Sequence, residues 1–99
     1  MKANIELVNF TSAYISHDGA EPELVVAGEV TSGGGTVSLE PHVYVSQPEY
    51  WSVDVLWDRT NAIFTAMSPF EVEIPVSAIK GRKGFRVIGR SVVKSFDLD

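Results

Sequence analysis

Residues 37–57 read VSLEPHVYVSQPEYWSVDVLW, and apolar side chains alternate with polar ones along most of this stretch. Because successive side chains of a β-strand point to opposite faces, an alternation with a period of two predicts half-buried strands. The tripeptide Gln-Pro-Glu at residues 47–49 interrupts the alternation as a turn does. We therefore predict two strands on either side of this turn, joined as a hairpin or meeting at a corner.

The second of these strands carries the side chains that we expect at the centre of the hydrophobic core. One phase of its alternation consists of Trp51, Val53, Val55 and Trp57. In the first strand, Pro41 stands in the apolar phase, and since proline cannot donate to a ladder, we predict an edge strand or a break there. The other apolar residues of that phase are Val37, Leu39, Val43 and Val45.

The rest of the chain contains alternating segments that predict further strands. They cover residues 4–16, 23–31, 70–76 and 85–98. Inside the first of these segments the apolar phase slips by one residue, which indicates a β-bulge or, at a kink, a strand that changes sheet. The phase also changes inside the last segment, where we predict one bulged strand. Residues 58–68 are the least regular part, and there we favour a short strand at residues 62–67 over a helical turn.

These short strands, separated by glycine- and proline-containing turns, predict an all-β fold. We expect one domain over residues 1–99, because a chain of this length has room for a single core. The specific prediction is a six- or seven-stranded antiparallel β-sandwich with immunoglobulin-like or related Greek-key connections. A small barrel is the alternative.

Composition excludes several classes of function. The formal net charge of −5 argues against general nucleic-acid binding, because a polyanion would be repelled. No apolar run is long enough for a membrane span, and the absence of cysteine excludes disulfides and thiol chemistry. The N-terminus shows no signal-peptide core, so we expect a protein made without a signal or one whose signal was removed. A cytoplasmic or assembly-associated location is favoured.

The sequence contains no pattern that predicts catalysis. His17 and His42 are its only histidines, and neither lies near a nucleophile-elbow motif. Glu71 and Glu73 fall two residues apart on one predicted strand face, which is typical of a solvated surface rather than of a cleft. We therefore predict that the protein is not an enzyme and has no catalytic residues.

A metal site is also not predicted. Asp18, Glu21 and Glu23 lie close together beside a glycine, and oxygen ligands in a loop suit calcium. Their spacing matches no EF-hand loop, however, and Pro22 stiffens the segment. With no cysteine and two distant histidines, zinc is less favoured still. We predict neither a metal nor another cofactor.

Charge is strongly segregated along the chain. Residues 80–94 hold six of the eight Lys and Arg residues and no acid, whereas residues 1–79 hold two basic and eleven acidic residues. If residues 70–76 and 85–89 formed a hairpin, Glu71 and Glu73 would face Arg86 and Arg90 across the strands. The loop between them would present three cations with no acid nearby in sequence, namely Lys80, Arg82 and Lys83.

An acidic body with a basic end suits head-to-tail association, which forms rings or filaments. We therefore predict a non-catalytic protein-binding or structural assembly module, whose partner is another protein or further copies of itself. A structural subunit, an assembly or decoration protein and a small inhibitor or immunity-type partner all fit this class. The predicted protein-binding residues are Lys80, Arg82, Lys83, Arg86 and Arg90.

A carbohydrate-binding module is the alternative, because small β-sandwiches often bind sugar rings on exposed aromatic faces. Trp51 and Trp57 fall in phase with valines, so we expect them in the core. Tyr44 and Tyr50 lie on the opposite phase and are the predicted ligand-binding residues. Tyrosine is common on recognition surfaces, although it also serves in ordinary cross-strand pairs.

Overall fold

The computed structural model describes residues 4–30, 35–60 and 67–98. Within these ranges the secondary structure consists of eight strands and one short 3-10 helix, so the predicted all-β class is confirmed. The strands are β1 (Ile5–Leu7), β2 (Ser12–Ser16), β3 (Glu23–Val30), β4 (Thr36–Pro41), β5 (Tyr50–Asp58), β6 (Ser68–Pro75), β7 (Gly84–Ile88) and β8 (Val93–Asp97), and the 3-10 helix is Val76–Ala78.

The strands form two sheets. A five-stranded sheet is built around β5, which pairs antiparallel with β1 and β4 and parallel with β7, while β8 pairs antiparallel with β7. A three-stranded antiparallel sheet has the order β2-β3-β6. From the registers, β1 and β7 lie along the same edge of β5, and β4 covers part of the other edge.

The parallel pair β5–β7 departs from the predicted antiparallel pairing. After β5 the chain enters the other sheet as β6 and returns as β7. Parallel neighbours require such a long crossover connection, so this pairing follows from the route of the chain between the sheets. The pairing of residues distant in sequence leaves no mark in the local alternation.

The phase slip inside residues 4–16 marks a change of sheet. β1 pairs with β5, whereas β2 pairs with β3 in the other sheet. The Val8 N–H still donates to the Val55 carbonyl at 3.0 Å, and the Thr11 N–H donates to the Ala27 carbonyl at 2.8 Å. The chain therefore crosses between the sheets over residues 8–11, as one of the two interpretations of the slip predicted.

The prediction of one bulged strand over residues 85–98 is wrong, because this segment folds back on itself as β7 and β8. The Gly89 N–H donates to the Val92 carbonyl at 2.8 Å and closes the turn. A Cβ at Gly89 would lie 3.0 Å from the carbonyl oxygen of Val8, so a side chain there would be crowded. The slip in phase thus records a reversal of the chain. Because residues 4–16 and residues 85–98 each form two strands, the described residues contain eight strands and not the six or seven expected.

The prediction for Pro41 is confirmed, since β4 is an edge strand and ends at this residue. The placement of Val43 and Val45 in the inward phase is wrong, because both residues are fully exposed to solvent. The missing N–H of Pro41 does not end the ladder, because the His42 N–H still donates to the Ser52 carbonyl at 2.9 Å. The ladder ends at the next bond, where the Ser52 N–H donates to the Tyr44 hydroxyl and Tyr44 turns toward the protein.

The core takes buried side chains from both sheets. Val53, Val55 and Trp57 of β5 are at most 5% exposed, and Trp51 packs against the core from its margin. The predicted core face of β5 is therefore confirmed. The other buried residues of this cluster are Phe10, Ala13, Leu24, Val26, Val76, Ile79, Phe85 and Val87.

Two further predictions concern the strand at residues 62–67 and the absence of a membrane span. The strand favoured at residues 62–67 lies outside the described residues, apart from Met67, which is exposed. Among the residues that the structure describes, no helix is long and apolar enough to cross a membrane.

Candidate protein-interaction site

Two loops meet at the end of the molecule from which β5 starts. Residues 42–49 connect β4 to β5, and residues 79–84 lead from the 3-10 helix into β7. The N–H of Arg82 donates to the Pro48 carbonyl and that of Lys83 to the Glu49 carbonyl, both at 2.8 Å. We call this pair of loops, residues 42–49 and 79–84, the two-loop tip.

Ile79 and Gly81 fix the position of the second loop. Ile79 is fully buried and anchors the start of the loop in the core. The Gly81 N–H donates to the Gly84 carbonyl at 2.9 Å, and a Cβ at Gly81 would lie 2.5 Å from the Glu49 carbonyl oxygen. Only glycine lets the two loops approach this closely.

The first loop is held mainly by Tyr44. Its hydroxyl accepts a hydrogen bond from the Ser52 N–H at 3.1 Å, and its ring meets the Trp51 ring edge-on at 5.0 Å. The Gln47 amide also donates to the Lys80 carbonyl at 2.8 Å. With Tyr44 turned inward, its two valine neighbours point into solvent.

The two-loop tip therefore presents two fully exposed valines, Val43 and Val45, on one loop and three exposed cations on the loop bonded to it. Among these cations, Lys83 lies 3.8 Å from the Glu49 carboxylate, an exposed pair that contributes little. Lys80 and Arg82 make no ion pair with any residue that the structure describes. Single exposed apolar residues are common on protein surfaces, but two such side chains on a hydrogen-bonded platform beside unpaired cations are a candidate contact site.

The other predicted basic residues lie elsewhere. Arg86 lies over the Tyr50 ring, 5.3 Å from its centroid, and Arg90 pairs with the Glu6 carboxylate at 2.8 Å. The conditional pairing of Arg86 and Arg90 with Glu71 and Glu73 is wrong, because β6 and β7 belong to different sheets. The structure thus brings together three of the five predicted protein-binding residues.

Lys94 of β8, another cation of the basic segment, has a structural role. Its ammonium donates a hydrogen bond to the Ala13 carbonyl of β2 at 2.8 Å. The contact joins the five-stranded sheet to the three-stranded sheet, so this cation is already engaged within the chain.

The two predicted ligand-binding tyrosines are engaged within the protein and share no ring contact in the described part of the chain. The Tyr50 hydroxyl donates to the Asp97 carboxylate at 2.5 Å, and this hydrogen bond raises the pKa of Tyr50. Tyr44 and Trp51 are inclined at 72°, so they do not make a coplanar stacking surface. Carbohydrate binding stays a prediction, with little support from this geometry.

Among the residues considered for catalysis or calcium, the two histidines lie at different sites. His42 lies 3.0 Å from the Asp54 carboxylate on the outer side of β5. His17 and Glu21 line a cavity of about 640 Å³ next to the two-loop tip, together with Lys80 and Asp97. Within residues 4–30, 35–60 and 67–98, no group of three or more His, Cys, Asp or Glu side chains could hold a metal ion.

The three-stranded sheet carries acidic side chains and no basic ones. Strands β2, β3 and β6 contain no Lys or Arg, and their four acids are Glu23, Glu29, Glu71 and Glu73. A hydrogen bond with Glu73 raises the pKa of Glu23, as do desolvation and the nearby carboxylates. The basic segment of the sequence therefore contributes no side chain to the strands of this sheet.

No protein-family model matches the chain, and searches of curated proteins and of solved structures give no significant match. Assignment of a function therefore depends on the geometry of the chain itself.

Proposed function

We propose that the protein is a non-catalytic binding module that contacts another protein through the two-loop tip. The observation that carries this proposal is the pair of fully exposed valines beside three cations, on loops held by backbone hydrogen bonds. Interfaces typically combine an apolar centre with a polar rim, and their affinity comes from a few well-placed residues. Val43 and Val45 would form the centre here.

The rigidity of the two-loop tip favours binding. Association is opposed by the entropy of ordering loops and side chains, and a platform that is already ordered avoids part of this cost. Burying a fully exposed valine contributes about 1.5–3 kcal/mol. The charges of Lys80, Arg82 and Lys83 favour a partner whose surface combines carboxylates with a shallow apolar depression.

For the fold we propose a β-sandwich whose connections are related to the Greek key. One core cluster draws on both sheets, and the chain passes from one sheet to the other after β1, β3, β5 and β6. Such passages are typical of Greek-key sandwiches. The parallel pair β5–β7 would distinguish this arrangement from immunoglobulin domains.

Replacement of the tip side chains tests the proposed function. The immobilised chain is used to capture proteins from an extract of the producing cells. V43S/V45S and K80S/R82S/K83S should each retain at least tenfold less of the partner protein than the unmodified chain does. Val93→Ser is the matched apolar control, since Val93 is exposed on β8, away from the tip. The charge-conserving variant K80R/R82K/K83R is the control for the cations. If both tip variants capture the same proteins in the same amounts as Val93→Ser, the proposed function is wrong.

A further inference from the structure

A groove lies on the outer face of the five-stranded sheet. It has a volume of about 510 Å³ and opens between β1, β4 and β5. Its lining consists of Ile5, Thr36, Ser38, Glu40, Leu56 and Asp58.

Strand register places these side chains together. Ile5 of β1 and Thr36 of β4 both lie opposite Asp58 of β5, and Ser38 lies opposite Leu56. Since alternate residues of a strand share a face, all of them project away from the core. The sequence did not indicate this groove, because its residues come from three strands and none belongs to the basic segment.

The groove combines apolar and acidic groups. Ile5 is 37% exposed and Leu56 is half-buried, so both offer apolar surface to a partner. Glu40 and Asp58 supply two carboxylates, and the lining contains no Lys or Arg. Hydrogen bonds from Thr60 lower the pKa of Asp58, which keeps this carboxylate charged in mildly acidic as well as neutral solution.

The groove and the two-loop tip lie at opposite ends of β5. Tyr50 follows the tip directly, and Asp58, at the other end of this nine-residue strand, lines the groove. At about 3.3 Å per residue the two ends of β5 are about 26 Å apart. The far end of the groove, at Asp58, is therefore out of reach of the tip of its own chain, whereas Glu40 lies at the end nearer to the tip.

We propose that the groove receives the two-loop tip of a second copy of this chain. This inference rests on the proposed function of the tip and names its partner. Val43 and Val45 would pack against Ile5 and Leu56. The cations Lys80, Arg82 and Lys83 would face the carboxylates Glu40 and Asp58.

Because the two surfaces of each copy are different, the contact is heterologous and repeats. Each copy keeps a groove for the next tip, so the assembly closes into a ring or extends as a filament. The acidic face of the three-stranded sheet offers charge to the cations, but its strands place only Tyr14 among the exposed large apolar side chains. The groove matches both properties of the tip, and so we assign the contact to it.

Complementation between two variants tests this inference. The tip variant K80S/R82S/K83S keeps an intact groove, and the groove variant E40Q/D58N keeps an intact tip. Asn is chosen at position 58 because its amide oxygen can still accept the hydrogen bond from the Thr60 N–H. The control variant E71Q/E73Q removes two exposed carboxylates from the other sheet. Thermal unfolding verifies that every variant folds.

Sedimentation velocity at low salt should show oligomers of the unmodified chain that grow with concentration and dissociate at high salt. Each of the two variants alone should associate at least tenfold more weakly, while E71Q/E73Q should behave as the unmodified chain does. An equimolar mixture of the two variants should form a 1:1 dimer and nothing larger, because only one intact tip and one intact groove can meet.

Several outcomes would overturn this inference. A monomer at every concentration would exclude self-association, but capture of a different protein by the tip would leave the proposed function standing. If only the tip variant were monomeric, the groove would be the wrong receiving surface. If folded tip and groove variants did not dimerise with each other, the head-to-tail contact would be wrong.

Discussion

At the scale of single residues, the exposure of Val43 depends on how the ladder between β4 and β5 ends. Val53 and Val43 stand in the same kind of apolar-polar alternation, yet the first is fully buried and the second fully exposed. The difference arises just after Pro41, where the Ser52 N–H donates to the Tyr44 hydroxyl rather than to a backbone carbonyl and Tyr44 turns inward. The exposed valines of the two-loop tip flank this inward tyrosine and point into solvent.

The hydrogen bond between Tyr50 and Asp97 should be visible in the titration of the tyrosines. The bond requires the protonated phenol, and it raises the pKa of Tyr50 above its ordinary value of 10.0. Its contribution to stability is therefore fully present below pH 10 and is lost as pH rises through the folded-state pKa. In a pH titration followed by tyrosinate absorbance, Tyr50 should ionise last and give a late phase at the highest pH. Asp97→Asn should move this late phase to lower pH, and Tyr50→Phe should remove it. A late phase that survives in both variants would contradict this assignment.

Lys94 should stabilise the fold by joining the two sheets. Lys94→Met keeps much of the length of the side chain but removes the donor to the Ala13 carbonyl. We expect a loss of about 1 kcal/mol in the free energy of unfolding, measured with urea. Lys80→Met is the matched control, since the Lys80 ammonium has no hydrogen-bond or ion-pair partner among the described residues. Equal effects of the two substitutions would show that the contact to Ala13 contributes nothing.

At the scale of secondary-structure elements, the strands that could be predicted are those whose burial is regular along the chain. β5 carries Val53 and Val55 on one face and was predicted within one residue of its end. The division of residues 85–98 was not, because the turn at Gly89 depends on a close approach to Val8 from the other end of the chain. Pairing partners are likewise set by tertiary contacts, which explains why the parallel β5–β7 pair was missed.

Gly84 should be essential to the pairing of β7 with β8. A Cβ at Gly84 would overlap the backbone carbonyl of Phe96, which cannot move without separating the strands. We expect Gly84→Ala to destabilise the protein by about 3 kcal/mol, as strong overpacking does. Gly19→Ala, in an exposed loop with no atom closer than 3.9 Å to the added Cβ, should change stability by less than about 0.5 kcal/mol. Similar unfolding temperatures for both variants would contradict this description of the β7–β8 pair.

At the scale of the whole molecule, the segregation of charge could be predicted but its spatial arrangement could not. Lys80, Arg82 and Lys83 stay together because one hydrogen-bonded loop carries them, whereas Arg86 and Arg90 are separated from them by the course of β7. The groove that contains Glu40 and Asp58 comes from three strands and has no signature in any one of them. Sites assembled across strands need the strand order, and the sequence alone does not contain it in readable form.

Whether the two-loop tip binds a protein can be tested by site-specific photo-crosslinking, with a photoreactive amino acid at position 45 compared with one at position 93. Both side chains are exposed, but only the first belongs to the two-loop tip. We predict that the probe at position 45 forms a discrete adduct with one protein, either a second copy or another partner, and that K80S/R82S/K83S abolishes this adduct. The probe at position 93 should give none. A discrete adduct from position 93 with none from position 45 would show that the tip is not the binding surface.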